Sequence, residues 1–131
     1  MANGSHSISL TAAEPIFESD LGSIQQISCR DLPILKRISI KRLVLAPGAI
    51  REPHWHANAD ELTYCLEGNL LVSLLEDGDQ FSSFRISDGQ MFHAPSGAIH
   101  HIENLGDEEA ELILAFSKQL TGANQLFYRH F

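Results

Sequence analysis

The sequence predicts an all-β sandwich or barrel, and three observations carry that reading. No stretch sustains the 3.6-residue apolar period of an amphipathic helix. Short apolar or alternating runs recur along the chain. Turn residues break those runs at regular intervals, the pattern of an antiparallel sandwich or barrel.

The elements follow in order. Residues 24–29 are a strand candidate with a mixed pattern. Residues 38–46 are a strongly apolar one, stopped by Pro47-Gly48. Residues 61–67 end at Gly68-Asn69, and 70–75 form a continuous apolar run that ends at Glu76-Asp77-Gly78-Asp79. Residues 81–86 alternate up to Ser87-Asp88-Gly89, and 90–94 stop at Pro95-Ser96-Gly97. Residues 98–103 end at Asn104-Leu105-Gly106-Asp107, and 110–116 are the last clear strand. The tail, 117–131, is expected to hold a short helix or strand. At the other end, residues 1–11 contain Asn3, Gly4, Ser5, His6 and Ser7. They are expected to be a flexible segment outside the fold, and they lack the basic start and apolar stretch of a signal peptide.

The chain of 131 residues is long enough for one core and too short for two, so residues 12–131 read as a single domain. The formal net charge is −8, which argues against nucleic acid and anionic membranes, since both need a basic patch. No apolar run approaches the ~20 residues of a membrane helix. The two cysteines, Cys29 and Cys65, are fewer than a disulfide-stapled secreted domain of this size carries, so a reducing cytoplasm is the expected compartment.

The histidines cluster. His54-Trp55-His56 places two imidazoles two residues apart, and in an extended segment such residues point to one side. Glu61 follows a polar loop and opens the next strand, so a hairpin-like return sets its carboxylate beside both rings. His100 lies far along the chain, and a barrel brings it to the same interior point. Three imidazoles and a carboxylate make a mixed N/O metal site with positions left for water or substrate. The set suits Mn, Fe, Ni, Co or Zn and does not suit Ca or Mg, which want oxygen ligands. It contains no thiolate, so it does not read as structural zinc. Asp60 is the rival carboxylate, but strand alternation favours Glu61. Thr63 and Cys65 share the side of Glu61 and read as small core filling. Leu62, Tyr64 and Leu66 form an apolar opposite face that is expected to be covered. His101 points away from His100, and His93 has no evident place.

Two motifs carry a resemblance to a known family. The first is Gly48, five residues, His54-Trp55-His56, four residues, Glu61, six residues, Gly68. The second is Gly89, five residues, Pro95-Ser96-Gly97, two residues, His100, three residues, Asn104. Both resemble the cupin motifs at every fixed position. The resemblance implies a double-stranded β-helix, or jelly-roll barrel, with a metal held inside by His54, His56, Glu61 and His100. The turn residues are expected to aim those ligands and do no chemistry.

Within the cupins, the chain resembles the oxalate decarboxylase and germin group. The likeness runs through Asp31-Leu32-Pro33-Ile34, residues 45–52 and His54-Trp55-His56, and again through Pro95-Ser96-Gly97 and His100. It implies Mn as the first choice of divalent metal and a small carboxylate such as oxalate as substrate. In that group the Arg three residues before the first His contacts oxalate, which gives Arg51 a catalytic role; a guanidinium holds a carboxylate through paired hydrogen bonds. The decarboxylases carry two cupin domains and a lid glutamate soon after the last barrel strand. This chain has one domain, and 117–121 reads Ser-Lys-Gln-Leu-Thr, with no acid. The expectation is therefore a metal-binding cupin, an oxidoreductase or decarboxylase of a small carboxylate. The alternatives are a non-catalytic sensor or accessory module and another cupin enzyme, such as a dioxygenase or isomerase. A homodimer is expected, through sheet edges and apolar outer faces.

Overall fold

Alternation along the strands decides which side chains enter the interior, and the register between strands decides which of them meet. The computed structural model describes residues 6–77, 79–118 and, for the backbone, 127–129. Among these residues the chain forms β1 (Phe17–Ser19), β2 (Gly22–Ile27), β3 (Ser39–Leu45), β4 (Ala49–His54), β5 (Glu61–Glu67), β6 (Asn69–Leu75), β7 (Phe81–Ser87), β8 (Met91–Ala94), β9 (Ile99–Asn104), β10 (Ala110–Phe116) and β11 (Phe127–Arg129). One sheet has the order β1-β2-β3-β10-β5-β8, the other β11-β4-β9-β6-β7. All pairings within them are antiparallel. The fold is the expected all-β jelly roll.

The core lies between the two sheets. Leu43 and Leu45 of β3, Leu112, Leu114 and Phe116 of β10, and Leu70 and Val72 of β6 form one buried cluster with Ile102 of β9. Burying each such side chain contributes ~1.5–3 kcal/mol against leaving it in water. In β10 the buried residues Ala110, Leu112, Leu114 and Phe116 alternate with half-buried ones, the period-two pattern of a strand with one core face. A smaller cluster joins Ala13, Ile27 and Leu32, and Ile8 and Leu10 pack against it. Packing therefore begins before residue 12; of the segment expected to be flexible, residues 1–5 lie outside the described residues.

Two strands were not legible as strands. β1 is a three-residue edge strand paired with β2, with little apolar content to mark it. β4 reads Ala-Ile-Arg-Glu-Pro-His, a poor strand pattern with two charges and a proline. Its pairing with β9 is irregular between Arg51 and His54. Pro53, which has no N–H to donate, falls within that interruption, where a ladder tolerates it. In the tail, β11 pairs with β4, and residues 119–126 and 130–131 lie outside the described residues.

Candidate metal centre

β4, β5 and β9 bring the four expected ligands together from two sheets. His54 closes β4 and stands opposite His100 of β9 in the strand register. Their ring centroids are 4.3 Å apart. His56 follows in the β4–β5 loop, with its ring 5.0 Å from His54 and 5.5 Å from His100. Glu61 opens β5 and is fully buried. One ligand-capable atom from each of His54, His56, Glu61 and His100 lies within 4.8 Å of all the others.

Hydrogen bonds aim these groups. His54 Nδ1 lies 2.8 Å from the Glu52 carbonyl, and His100 Nδ1 lies 2.9 Å from the Ala98 carbonyl. A carbonyl only accepts, so each Nδ1 carries the proton and donates it. That leaves Nε2 of both rings as the nitrogen available to a metal, the usual outer support of a histidine ligand. His56 Nε2 and His100 Nε2 each lie 3.2 Å from Glu61 Oε1. Thr63 Oγ1 donates to Glu61 Oε2 at 2.6 Å. Thr63 is thus a support for the carboxylate and not merely core filling.

The electrostatics suit a cation. Burial pushes the Glu61 carboxyl up, but hydrogen bonds from His100, His56 and Thr63 outweigh it and hold the group well below the usual carboxylate range. Burial, with Arg51 and His100 nearby, lowers His54 to about 3, so its ring is neutral, as a ligand must be. Burial opposes charge on His100, and the adjacent Glu61 carboxylate more than offsets it, raising that group. Metal ions compete with protons for such nitrogens.

Two cations flank the cluster. Arg51 sits on β4 and is only 4% exposed, so it is not a surface-loop arginine. Its Nη1 is buried and has no hydrogen-bond partner. A buried guanidinium N–H without an acceptor is costly, and an anionic ligand would satisfy it. Lys41 of β3 is also buried, and it lines the same small cavity as Arg51, His54, His56 and Phe116. Lys41 escaped the sequence reading. The signal was the alternation of β3: Leu43 and Leu45 face the core, so residue 41 faces it too.

Other residues fall outside the cluster. Asp60 is exposed; its Oδ1 accepts from the Ser96 backbone N–H at 2.8 Å, and Oδ2 lies 3.7 Å from His93. The rival carboxylate therefore ties two loops together, and His93 finds its place beside it on the outer side. His101 pairs in register with Ser73 and is half-buried. Ser117 and Lys118 are exposed, while residues 119–121, the rest of the segment without an acid, lie outside the described residues.

The fold and the arrangement of these side chains are those of a cupin, and residues 8–130 match the cupin family model. The chain belongs to the cupin family. Within it, the chain stands close to the oxalate decarboxylase and germin group. It is 37% identical over 89 residues to a germin-like protein (subfamily 2 member 1) of Arabidopsis thaliana, covering 68% of this chain and 41% of that protein. It is 32% identical over 106 residues to the oxalate decarboxylase of Bacillus subtilis, covering 81% of this chain and 27% of the relative. A solved structure of that decarboxylase, studied for its Mn(II) centres, superposes with a TM-score of 0.81 at 26% identity, covering 92% of this chain and 30% of that one. The chain thus spans less than half the length of these relatives.

Proposed function

We propose that His54, His56, Glu61 and His100 hold one divalent transition metal, Mn before Fe, Ni, Co or Zn, and that the barrel binds a small carboxylate such as oxalate beside it. The observation that carries this reading is the buried, partnerless Nη1 of Arg51, on the same strand as His54 and lining the same cavity. The convergent imidazoles and the carboxylate support a metal, and the Mn(II) centres of the similar decarboxylase support Mn first. A bound divalent ion supplies positive charge to polarise a carboxylate and, for Mn or Fe, redox capacity. The chain's own residues do the rest. Thr63 and the backbone carbonyls of Glu52 and Ala98 orient the ligand side chains. The apolar wall of Leu43, Ile102 and Leu114 limits water. Arg51 grips a carboxylate that one end of the substrate presents.

Oxidation of the carboxylate, or its binding without turnover, fits the chain better than rapid decarboxylation. Decarboxylation to formate needs a proton donor, and the sequence from 117 to 121 has no acid there. The reading of a reducing cytoplasm rests on the small number of cysteines in the sequence, Cys29 and Cys65. Calorimetric titration of Mn-loaded protein with oxalate tests the site. Arg51→Lys keeps the charge and loses the planar fork, so oxalate affinity should fall about ten-fold or more, since a charged hydrogen bond is worth roughly 1.5–3 kcal/mol. Metal content should stay unchanged, and formate should not accumulate. Equal oxalate affinity in both proteins would return Arg51 to a packing role, and fast formate release would restore the decarboxylase reading.

A further inference from the structure

We propose that Lys41 is a ligand-binding residue of the barrel, forming with Arg51 a two-cation clamp that takes the second carboxylate of a small dicarboxylate. The inference rests on the carboxylate reading of the site above and adds to it the class of ligand. Lys41 and Arg51 come from different sheets, β3 and β4, and line one cavity with His54 and His56. Lys41 is 3% exposed, which for a lysine is rare unless the ammonium has something to hold. Its Nζ lies 5.5 Å from the centre of the Phe116 ring, and that ring packs edge-on against His56 at 4.9 Å. One aromatic ring therefore separates the ammonium from a metal-binding imidazole.

A purely structural lysine would pair with an interior carboxylate. Glu61 is the carboxylate that influences Lys41, but its Oε1 is taken by His56 and His100 and its Oε2 by Thr63. Burial first, then the repulsion of Arg51, depresses the ammonium to about 8, which marks two like charges held close in a poorly solvated space. Such a pair costs folding free energy and persists where a ligand anion relieves it. The charge inventory of the barrel sets the class of that anion. With a divalent ion bound, that ion, Lys41 and Arg51 would face the carboxylate of Glu61; Glu103, also buried, lies on the side of β9 opposite to His100 and Ile102. A monocarboxylate leaves much of this charge unbalanced, whereas a dicarboxylate places one anionic end at the metal and the other between the two side chains.

The test compares Mn(II)-loaded wild type, Lys41→Met and Lys41→Arg by calorimetric titration with oxalate, malonate and acetate, and measures the melting temperature of each without ligand. Lys41→Met should weaken oxalate and malonate about ten-fold or more, the size of one lost charged hydrogen bond, with little change for acetate. Lys41→Arg should keep most of the dicarboxylate affinity. Lys41→Met should melt no lower than wild type, because it removes a buried repulsion. Wild-type oxalate affinity in Lys41→Met, with weakened binding in Arg51→Lys, would overturn the role of Lys41 and leave the carboxylate site standing. A Lys41→Met protein that melts well below wild type would also overturn it, in favour of a structural lysine. Failure of wild type itself to bind oxalate and malonate would sink the carboxylate reading, and this inference with it, before any substitution is considered.

Discussion

His100 and His101 are neighbours in sequence and opposites in environment. His100 is 2% exposed and directs Nε2 to Glu61 at 3.2 Å, while His101 faces the other side of β9 and is half-buried. The difference is strand alternation and nothing else, since both side chains have the same chemistry. It makes a sharp test at single positions. Replacing His54, His56 or His100 with Ala should remove most bound metal, because in the proposed site each would supply one of four protein ligands. His101→Ala should retain it. Elemental analysis of the purified proteins decides the matter, and full metal occupancy in the triple His→Ala variant would refute the assignment.

Two connections between strands carry the ligands into place. The corner after β8 is a turn in which the Ala98 N–H donates to the Pro95 carbonyl at 3.0 Å, and Gly97 has a φ of +84°, a region glycine enters without strain. The same corner is tied to the β4–β5 loop: the Gly97 N–H donates to the His56 carbonyl at 2.9 Å, and the Ser96 N–H to Asp60 Oδ1. The segment that aims His100 is thus fastened to the one that carries His56. At the far end of β5, Gly68 plays a different part. Its φ is +145°, and a Cβ built there would stand 2.7 Å from Ala110 Cβ and 3.3 Å from Ala110 Cα. Gly68→Ala should therefore push β10 from β5 and cost about 1–3 kcal/mol of stability through backbone strain and overpacking. Metal stoichiometry should survive, because the ligands are at the opposite end of β5. Urea unfolding midpoints read the effect, and an unchanged midpoint would show that the strand ends absorb the extra methyl freely.

The outer face of the sheet that contains β5 and β8 is unusually apolar. Leu62 is 45% exposed and Met91 52%, with Tyr64 and Leu66 also exposed beside them. The apolar residues Leu62, Tyr64 and Leu66 predict a covered face, and the single chain leaves it open. β8 is moreover a sheet edge of four residues. Exposed apolar surface next to an open edge invites association, and symmetric pairing of two chains is the commonest way proteins close such a face. The expected species is a homodimer, twice the chain mass of 14.5 kDa by light scattering at micromolar concentration. Leu62→Lys should shift it to monomer and leave metal content intact, since Leu62 points away from the site. A wild-type monomer at that concentration would leave the apolar face unexplained and refute the dimer.

Much of this protein was legible in local sequence. The bounds of β5 and β10 matched the apolar runs, because alternation and turn residues act over a few positions. The convergence of four side chains was legible for the same reason: His54 and His56 share a side by spacing alone, Glu61 opens the next strand, and the motif around His100 marks its corner. What the tertiary structure decided concerns residues that meet across strands and sheets. Arg51 could be placed by resemblance, but its burial and its partnerless Nη1 depend on β4 being a strand against β9, and the local pattern of β4 conceals that. Thr63 read as filler until register put its hydroxyl on Glu61. Lys41 carried a clear alternation signal, yet a lysine on a core face is so rare that composition argues it outward. Periodicity is a property of neighbouring residues, whereas convergence in a barrel is set by pairing between strands distant in sequence. Only the closed arrangement of the two sheets brings Lys41, Arg51 and the four ligand side chains to one interior.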